Sequence, residues 1–127
     1  MKILFLCVEN AGRSQMAEGF ARAIAPPGAK IFSAGSLPAE RLNPAAIEAM
    51  WERGIDISGQ TPKGLATLPE DLFDMVVGMG CADACPAHRA KRAVTWEIPD
   101  PKGQPMETVR QIRDQIETQV KKLFSEC

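Results

Sequence analysis

The chain has 127 residues, of which 45% are hydrophobic, and a formal net charge of −1. This length can bury the core of one domain, so residues 1–127 are predicted to form a single domain. The near-neutral charge gives no reason to expect nucleic acid or a membrane surface as a partner, and the apolar run at the N-terminus is too short for a signal sequence. We therefore expect a cytoplasmic monomer whose four cysteines are free or catalytic.

Short apolar runs alternate with amphipathic segments along the chain, as strands alternate with helices in α/β proteins. The strands are predicted at 2–7, 30–35, 73–80 and 92–96, and the helices at 14–25, 43–54 and 106–124. This alternation favours a single three-layer α/β domain, with a four-stranded parallel sheet flanked by helices. Ligands bind such sheets beyond the carboxyl ends of the strands, where Cys7 and the region of Cys81 are expected to meet.

The segment CVENAGRS, residues 7–14, joins the first strand to the first helix. A short loop at this place turns backbone N–H groups inward and lies at the positive end of the helix, so it can bind an anion. The guanidinium of Arg13 adds a fork of donors that matches two oxygens of a tetrahedral oxyanion. The same field stabilises a thiolate at Cys7, and the hydroxyl of Ser14 can donate a hydrogen bond to the sulfur. The segment therefore predicts a nucleophile and an oxyanion receptor in one loop.

The alternative interpretation of this segment is structural, with Cys7 as a small buried hydrophobe and Arg13 as a surface charge. A cysteine and an arginine separated by five residues occur together by chance often enough to be a weak signal alone. The strand before them, the helix after them and Ser14 directly behind Arg13 favour the functional interpretation.

The segment CVENAGRSQMAEGFA resembles the phosphate-binding loop and first helix of low-molecular-weight protein tyrosine phosphatases, and it is still more similar to the related thiol-dependent arsenate reductases. FSAGS at 32–36, LNPAAIEAMWERGIDISGQTPK at 42–63, the Cys81/Cys85 region and Asp100-Pro101 extend this resemblance over nearly the whole chain. It implies the phosphatase-like topology, Cys7 as nucleophile and Asp100 as general acid. The residues that it implies for oxyanion binding are Val8, Glu9, Asn10, Ala11, Gly12, Arg13 and Ser14. A turn-forming role is the structural alternative for Asp100, because Asp-Pro commonly starts turns.

Two features separate the reductases from the phosphatases of this family. The phosphatases typically carry tyrosines after the Asp-Pro and a second cysteine inside the loop, whereas here Lys102 follows Pro101, Ala11 fills the loop position and tyrosine is absent. The reductases carry two further cysteines after the third strand, as Cys81 and Cys85 do here. The favoured function is reduction of arsenate to arsenite. Hydrolysis of phosphotyrosine or small aryl phosphates, and oxyanion binding or redox sensing without turnover, are the alternatives.

The resemblance implies a relay of cysteines. Cys7 forms an adduct with arsenate, and Cys81 then attacks the sulfur of Cys7, which releases arsenite and leaves a disulfide. Cys85 can resolve that disulfide, since alpha carbons four residues apart on a helical turn lie about 6 Å apart. An external thiol then reduces the protein, and the short spacing of the pair leaves thioredoxin, glutathione and mycothiol open as donors. Inert core thiols are the structural alternative, and no metal is expected because the chain has one histidine.

Some of these reductases hold a potassium ion beside the loop with four side chains. Three of them correspond to Asn10, Glu18 and Ser33, whereas the fourth, an aspartate, is replaced by Lys63. The ammonium of Lys63 can take the place of the cation, so we expect no potassium requirement, with an exposed loop lysine as the alternative. Together with Ser14, these residues are predicted to support the loop.

Overall fold

A computed structural model describes residues 1–69, 72–80 and 90–125 of the chain. Strands β1 to β4 span Lys2–Cys7, Lys30–Gly35, Met75–Met79 and Ala93–Trp96. Helices α1 to α3 span Arg13–Ile24, Pro44–Trp51 and Met106–Ser125, and Leu65–Thr67 forms a turn of 3₁₀ helix. The predicted order of elements is confirmed. No helix within the described ranges combines the length and the apolar character needed to cross a membrane.

The strands form one parallel sheet in the order β2-β1-β3-β4, which confirms the predicted four-stranded sheet. Cys7 pairs in register with Gly35, and Met79 pairs with Trp96. The carboxyl ends of the strands therefore reach the same edge of the sheet. A group at Cys7 consequently faces the residues that follow β2, β3 and β4.

The two faces of the sheet carry separate apolar clusters, because side chains alternate along a strand. Ile3 and Phe5 of β1 belong to the larger cluster, to which α1, α2 and α3 contribute. Leu4 and Leu6 belong to the smaller cluster, against which Leu65 of the 3₁₀ helix packs. Burial on both faces explains why β1 is a nearly continuous apolar run rather than an alternating one.

The end of α2 differs from the prediction. The helix predicted over 43–54 stops at Trp51. Gly54 has a φ of +76°, and this left-handed turn brings the N–H of Ile55 to the carbonyl of Met50 at 3.1 Å. A glycine cap of this kind satisfies the last helical carbonyls and ends the helix before the glycine is reached.

Arg113 is a buried cation that ties α3 to the end of α2. Its Nη1 donates to the carbonyl of Ala49 at 3.0 Å and to the carboxylate of Glu52 at 2.8 Å. Its Nε donates to Asp114 at 2.9 Å, and this hydrogen bond is the largest effect that holds the pKa of Asp114 below its ordinary value. A lowered folded-state pKa means that the stabilisation is present at neutral pH and is lost as the pH falls through that pKa.

Replacing Arg113 with alanine (R113A) is expected to lower the free energy of unfolding by about 1 to 3 kcal/mol, because the carbonyl of Ala49 loses its buried charged donor. Arg110 supplies a matched control, since it is exposed and pairs with the same Glu52 at 2.9 Å. R110A should cost clearly less, because exposed ion pairs are screened by water. Urea denaturation at pH 7 measures both changes, and equal losses would contradict the buried role of Arg113.

Candidate active site

Cys7 lies at the carboxyl end of β1, and its thiol contacts two groups of the loop that follows. Its Sγ lies 2.8 Å from the Oγ of Ser14, and the backbone N–H of Asn10 donates to the sulfur at 3.3 Å. Cys7 is only 2% exposed, so burial alone fits the structural interpretation as well. The two polar contacts distinguish the interpretations, because a core thiol packs against apolar atoms.

The hydrogen-bond network assigns a direction to the contact between Ser14 and Cys7. The backbone N–H of Lys63 donates to the Oδ1 of Asn10 at 2.8 Å, which identifies the oxygen of that amide. The Nδ2 of Asn10 must then donate to the Oγ of Ser14, at 2.7 Å. Because Ser14 accepts this bond, its own hydroxyl hydrogen is available for the sulfur of Cys7. The network therefore delivers donors to the sulfur, as a thiolate requires.

The carbonyl groups of the loop are turned away from Cys7 by a neighbouring segment. The N–H groups of Ser36, Leu37, Ala39 and Asn43 donate to the carbonyls of Cys7, Val8, Glu9 and Ala11, at distances of 2.8 to 3.3 Å. The described peptide bonds are trans, so each carbonyl and the N–H that follows it point in opposite directions. The N–H groups of Val8, Glu9, Asn10 and Gly12 therefore face away from residues 36–43. That of Asn10 reaches the sulfur, so the side to which these donors turn is the side of Cys7.

Gly35, at the end of β2, permits the loop to pass this close to the sheet. A Cβ atom at Gly35 would lie 2.5 Å from the carbonyl oxygen of Val8 and 2.9 Å from the nitrogen of Asn10. Those atoms belong to the loop backbone and cannot yield without displacing it. The glycine of the FSAGS segment thus has a steric function that the sequence analysis did not identify.

Arg13 begins α1, and its guanidinium reaches over the ends of β3 and β4. Its Nη1 donates to the carbonyl of Ile98 at 3.1 Å, and its Nη2 lies 3.8 Å from the Oδ2 of Asp100. Gly80 follows β3 directly, with a φ of +77°, and a Cβ atom there would collide with Nη1 of Arg13. The guanidinium therefore occupies space that only a glycine leaves open.

Asp100 and Cys7 line one cleft of about 510 Å³, together with Glu9, Arg13 and Lys102. The side chain of Asp100 is 56% exposed, and its Oδ1 accepts the N–H of Lys102 at 3.0 Å. Asp100 thus forms the turn that its dipeptide with proline predicts, and it also faces the cleft. The two interpretations of Asp100 are compatible.

The ammonium of Lys63 lies near Glu18 and donates to the carbonyl of Thr61 at 3.0 Å, whereas Asn10 is contacted by the backbone of Lys63 and not by its charge. The Nζ of Lys63 lies 3.7 Å from the Oε1 of Glu18, and its backbone N–H bonds to Asn10. The hydroxyl of Ser33 donates to the same oxygen of Glu18 at 2.5 Å. Glu18 is buried, so its carboxylate needs such partners, and Arg22 pairs with its Oε2 at 2.9 Å as well. The structure therefore brings Asn10, Glu18, Ser33 and Lys63 together beside the loop.

Gln15 is a fully buried polar residue that the sequence analysis missed. Its Nε2 donates to the Oδ1 of Asn10 at 2.8 Å and to the carbonyl of Thr61 at 2.9 Å. Gln60 in turn donates to the Oε1 of Gln15 at 2.6 Å. The available signal was the helical spacing of Gln15 and Glu18, which puts two polar side chains on one face of α1 directly after the loop.

Cys81 and Cys85, the two other predicted catalytic cysteines, lie outside the described residues. The residue before them, Gly80, is described and contacts Arg13 as above. Within the described ranges, no group of three or more His, Cys, Asp or Glu side chains could hold a metal ion.

The chain matches, over residues 2–127, the family described as low molecular weight phosphotyrosine protein phosphatase. It is 37% identical over 127 residues to a glutaredoxin arsenate reductase of Synechocystis sp., with 98% of this chain and 96% of the relative covered. A solved structure of an arsenate reductase in the phosphate-binding state superposes with a TM-score of 0.89 at 36% identity, covering 98% of this chain and 97% of the other. A thioredoxin-dependent arsenate reductase of Corynebacterium glutamicum superposes with a TM-score of 0.80 at 35% identity, covering 98% of this chain and 60% of the other.

These matches extend over nearly the whole chain, and the fold agrees with them. The family resemblance inferred from the sequence is confirmed. The relatives that it matches include proteins named as arsenate reductases. The chain belongs to the low molecular weight phosphotyrosine protein phosphatase family.

Proposed function

We propose that this protein reduces arsenate to arsenite, with Cys7 as the nucleophile. The observation that carries the proposal is the placement of the Cys7 sulfur against the Oγ of Ser14 and the N–H of Asn10, inside a loop whose further N–H groups face the same side. Relatives named as arsenate reductases support arsenate as the oxyanion. The family as a whole would otherwise suggest phosphate esters.

In the first step, arsenate binds to the loop N–H groups and to the guanidinium of Arg13. The thiolate of Cys7 attacks arsenic, so a sulfur–arsenic bond forms while one arsenic–oxygen bond breaks. The carboxyl group of Asp100, which lines the same cleft as Cys7, donates a proton to the leaving oxygen. The oxygen leaves as water, and the arsenic remains As(V).

In the second step, the thiolate of Cys81 attacks the sulfur of Cys7. The electron pair of the sulfur–arsenic bond passes to arsenic, which leaves as arsenite, As(III), and a Cys7–Cys81 disulfide forms. Cys85 then attacks Cys81, which forms a Cys81–Cys85 disulfide and regenerates the thiolate of Cys7. The assignment of Cys81 and Cys85 rests on the resemblance to the reductases.

An external thiol must return two electrons to the protein before the next turnover. The relatives include a glutaredoxin arsenate reductase and a thioredoxin-dependent one, which supports a thiol reductant from outside the chain. Thioredoxin, glutathione and mycothiol are the candidates.

Hydrolysis of phosphotyrosine or of a small aryl phosphate is the second candidate function. The observation that favours it is the same loop, because its N–H donors receive phosphate and arsenate alike. Cys7 would form a thiophosphate adduct that water hydrolyses, and Asp100 would protonate the leaving oxygen of the ester.

Fully reduced protein mixed with arsenate, without an external thiol, is expected to release about one arsenite per chain, because the cysteines hold the two electrons needed. Arsenite release in a single turnover, followed by mapping of disulfides, should find Cys81 joined to Cys85. Cys7→Ser is expected to abolish release. Release only after glutathione or mycothiol is added would move the second donor outside the chain. No arsenite with any thiol, alongside Cys7-dependent hydrolysis of an aryl phosphate, would support the second candidate instead.

Replacing Gly80 with alanine tests Arg13 as part of the oxyanion receptor. The new Cβ atom collides with the guanidinium, so Arg13 must move and the affinity for inorganic phosphate should fall about ten-fold or more. Gly54→Ala is the matched control, because Gly54 has a φ of +76°, close to the +77° of Gly80, but has no atom within 4 Å of its Cβ position. Calorimetric titration with phosphate measures both affinities, and an equal loss in the two variants would assign the effect to backbone strain.

The activity of the unaltered protein is expected not to depend on potassium, because the ammonium of Lys63 lies beside Glu18, in the place proposed for the cation. Arsenite release is measured while potassium is exchanged for choline at constant ionic strength. Lys63→Asp should become potassium-dependent, since it replaces a cation with a ligand for one. Strong activation of the unaltered protein by potassium would contradict this role.

A further inference from the structure

An ion pair joins the two loops that carry the proposed nucleophile and the proposed acid. The Nζ of Lys102 lies 3.0 Å from the Oε1 of Glu9 and 3.4 Å from its Oε2. Glu9 stands two positions after Cys7, and Lys102 stands two positions after Asp100. All four residues line the same cleft, so the contact between Glu9 and Lys102 bridges it from one loop to the other.

The position of Lys102 is set by the turn that Asp100 begins. The backbone N–H of Lys102 donates to the Oδ1 of Asp100 at 3.0 Å. Pro101 packs tightly on Gly12, because a Cβ atom placed on Gly12 would lie 2.9 Å from the Cγ of the proline. Only the flexible side chains of Glu9 and Lys102 therefore need to move for the bridge to open. The turn itself stays in place.

The rest of the cleft wall offers an apolar surface near the bridge. Ala39, Leu42 and Pro44 line the cleft along with Cys7. An aryl group attached to a bound phosphate would pack against such a surface, and it would compete for space in the cleft that the Glu9–Lys102 bridge spans. An inorganic oxyanion has no such group, so the bridge does not obstruct it.

We propose that the Glu9–Lys102 ion pair biases the substrate class of this site, by disfavouring phosphate monoesters that carry an aryl group relative to inorganic oxyanions. This role rests on the proposed function, in which the substrate is an inorganic oxyanion. Lys102, which follows Asp100-Pro101, thus acts through its charge. The tyrosines that the phosphatases of this family typically carry after the Asp-Pro would instead favour the aromatic ring of a substrate.

The experiment removes the bridge without changing the net charge. The double variant E9A/K102A loses one acid and one base, keeps every backbone N–H of the loop and keeps the turn at Asp100. The probes are p-nitrophenyl phosphate, for which kcat/KM is measured, and inorganic phosphate, whose association constant is measured by calorimetry. The ratio of kcat/KM to that association constant is expected to rise about five-fold, the largest effect usual for an exposed ion pair.

Two further variants identify the cause. The exchange E9K/K102E rebuilds the bridge with its charges reversed and should return the ratio towards that of the unaltered protein. The pair of Glu117 and Lys121 on α3, at 3.3 Å, supplies a control of the same composition, and E117A/K121A should leave the ratio unchanged. An unchanged ratio in E9A/K102A, or a raised ratio that persists in the exchange variant, would overturn the proposal.

Failure of this proposal is distinguishable from failure of the proposed function. If the unaltered protein releases no arsenite but E9A/K102A gains activity towards the aryl ester, the bridge has its proposed role and the reductase assignment is wrong. If arsenite is released but the ratio does not rise, the reductase assignment holds and the bridge has no part in selection.

Discussion

The conformation of Asn10 is the constraint on which the rest of the site depends. Asn10 is fully buried and has a φ of +51°, in the left-handed region that asparagine tolerates better than most residues. Its backbone N–H reaches the sulfur of Cys7, while its side-chain amide bonds to Ser14 and to the N–H of Lys63. One residue thus contacts the thiol, the hydroxyl beside it and the backbone of Lys63 from a distant segment. A side chain without an amide would leave several of these buried groups unpaired.

The loop around Asn10 holds its shape because neighbouring elements contact it from several sides. N–H groups of residues 36–43 donate to the outward-facing carbonyl groups of the loop. Gly35 allows the sheet to pass directly behind, and Gln15 bonds to Asn10 from the helix side. On the side left free by these contacts, the N–H of Asn10 reaches the sulfur of Cys7. A preorganised set of donors needs little rearrangement when an oxyanion binds, which is how such loops stabilise developing charge.

Charge around the loop is compensated at two depths. Glu18 lies buried behind the loop and is met by Ser33, by Arg22 at 2.9 Å and by Lys63 at 3.7 Å, so its charge is compensated where water is scarce. Glu9 and Lys102 lie at the cleft, where both side chains remain partly exposed. The inner cluster around Glu18 supports the shape of the loop, whereas the outer pair of Glu9 and Lys102 connects it to the loop of Asp100. Arg13 is a second cation at this cleft, and the carbonyl of Ile98 accepts a hydrogen bond from its guanidinium.

The sequence by itself determined the order of strands and helices, the parallel sheet, and the loop from Cys7 to Ser14, because these features depend on residues that are neighbours along the chain. An apolar run, a cysteine, a glycine and a helix start within one short segment suffice to predict them. The contact of Lys63 with Glu18 was also predicted, but only through the resemblance to relatives. Gly80 beneath Arg13, Gly35 behind Asn10 and the pairing of Glu9 with Lys102 were decided by tertiary structure alone. These contacts join residues far apart in the chain, and they exist because the strand order and register bring all carboxyl ends of the strands to one edge of the sheet.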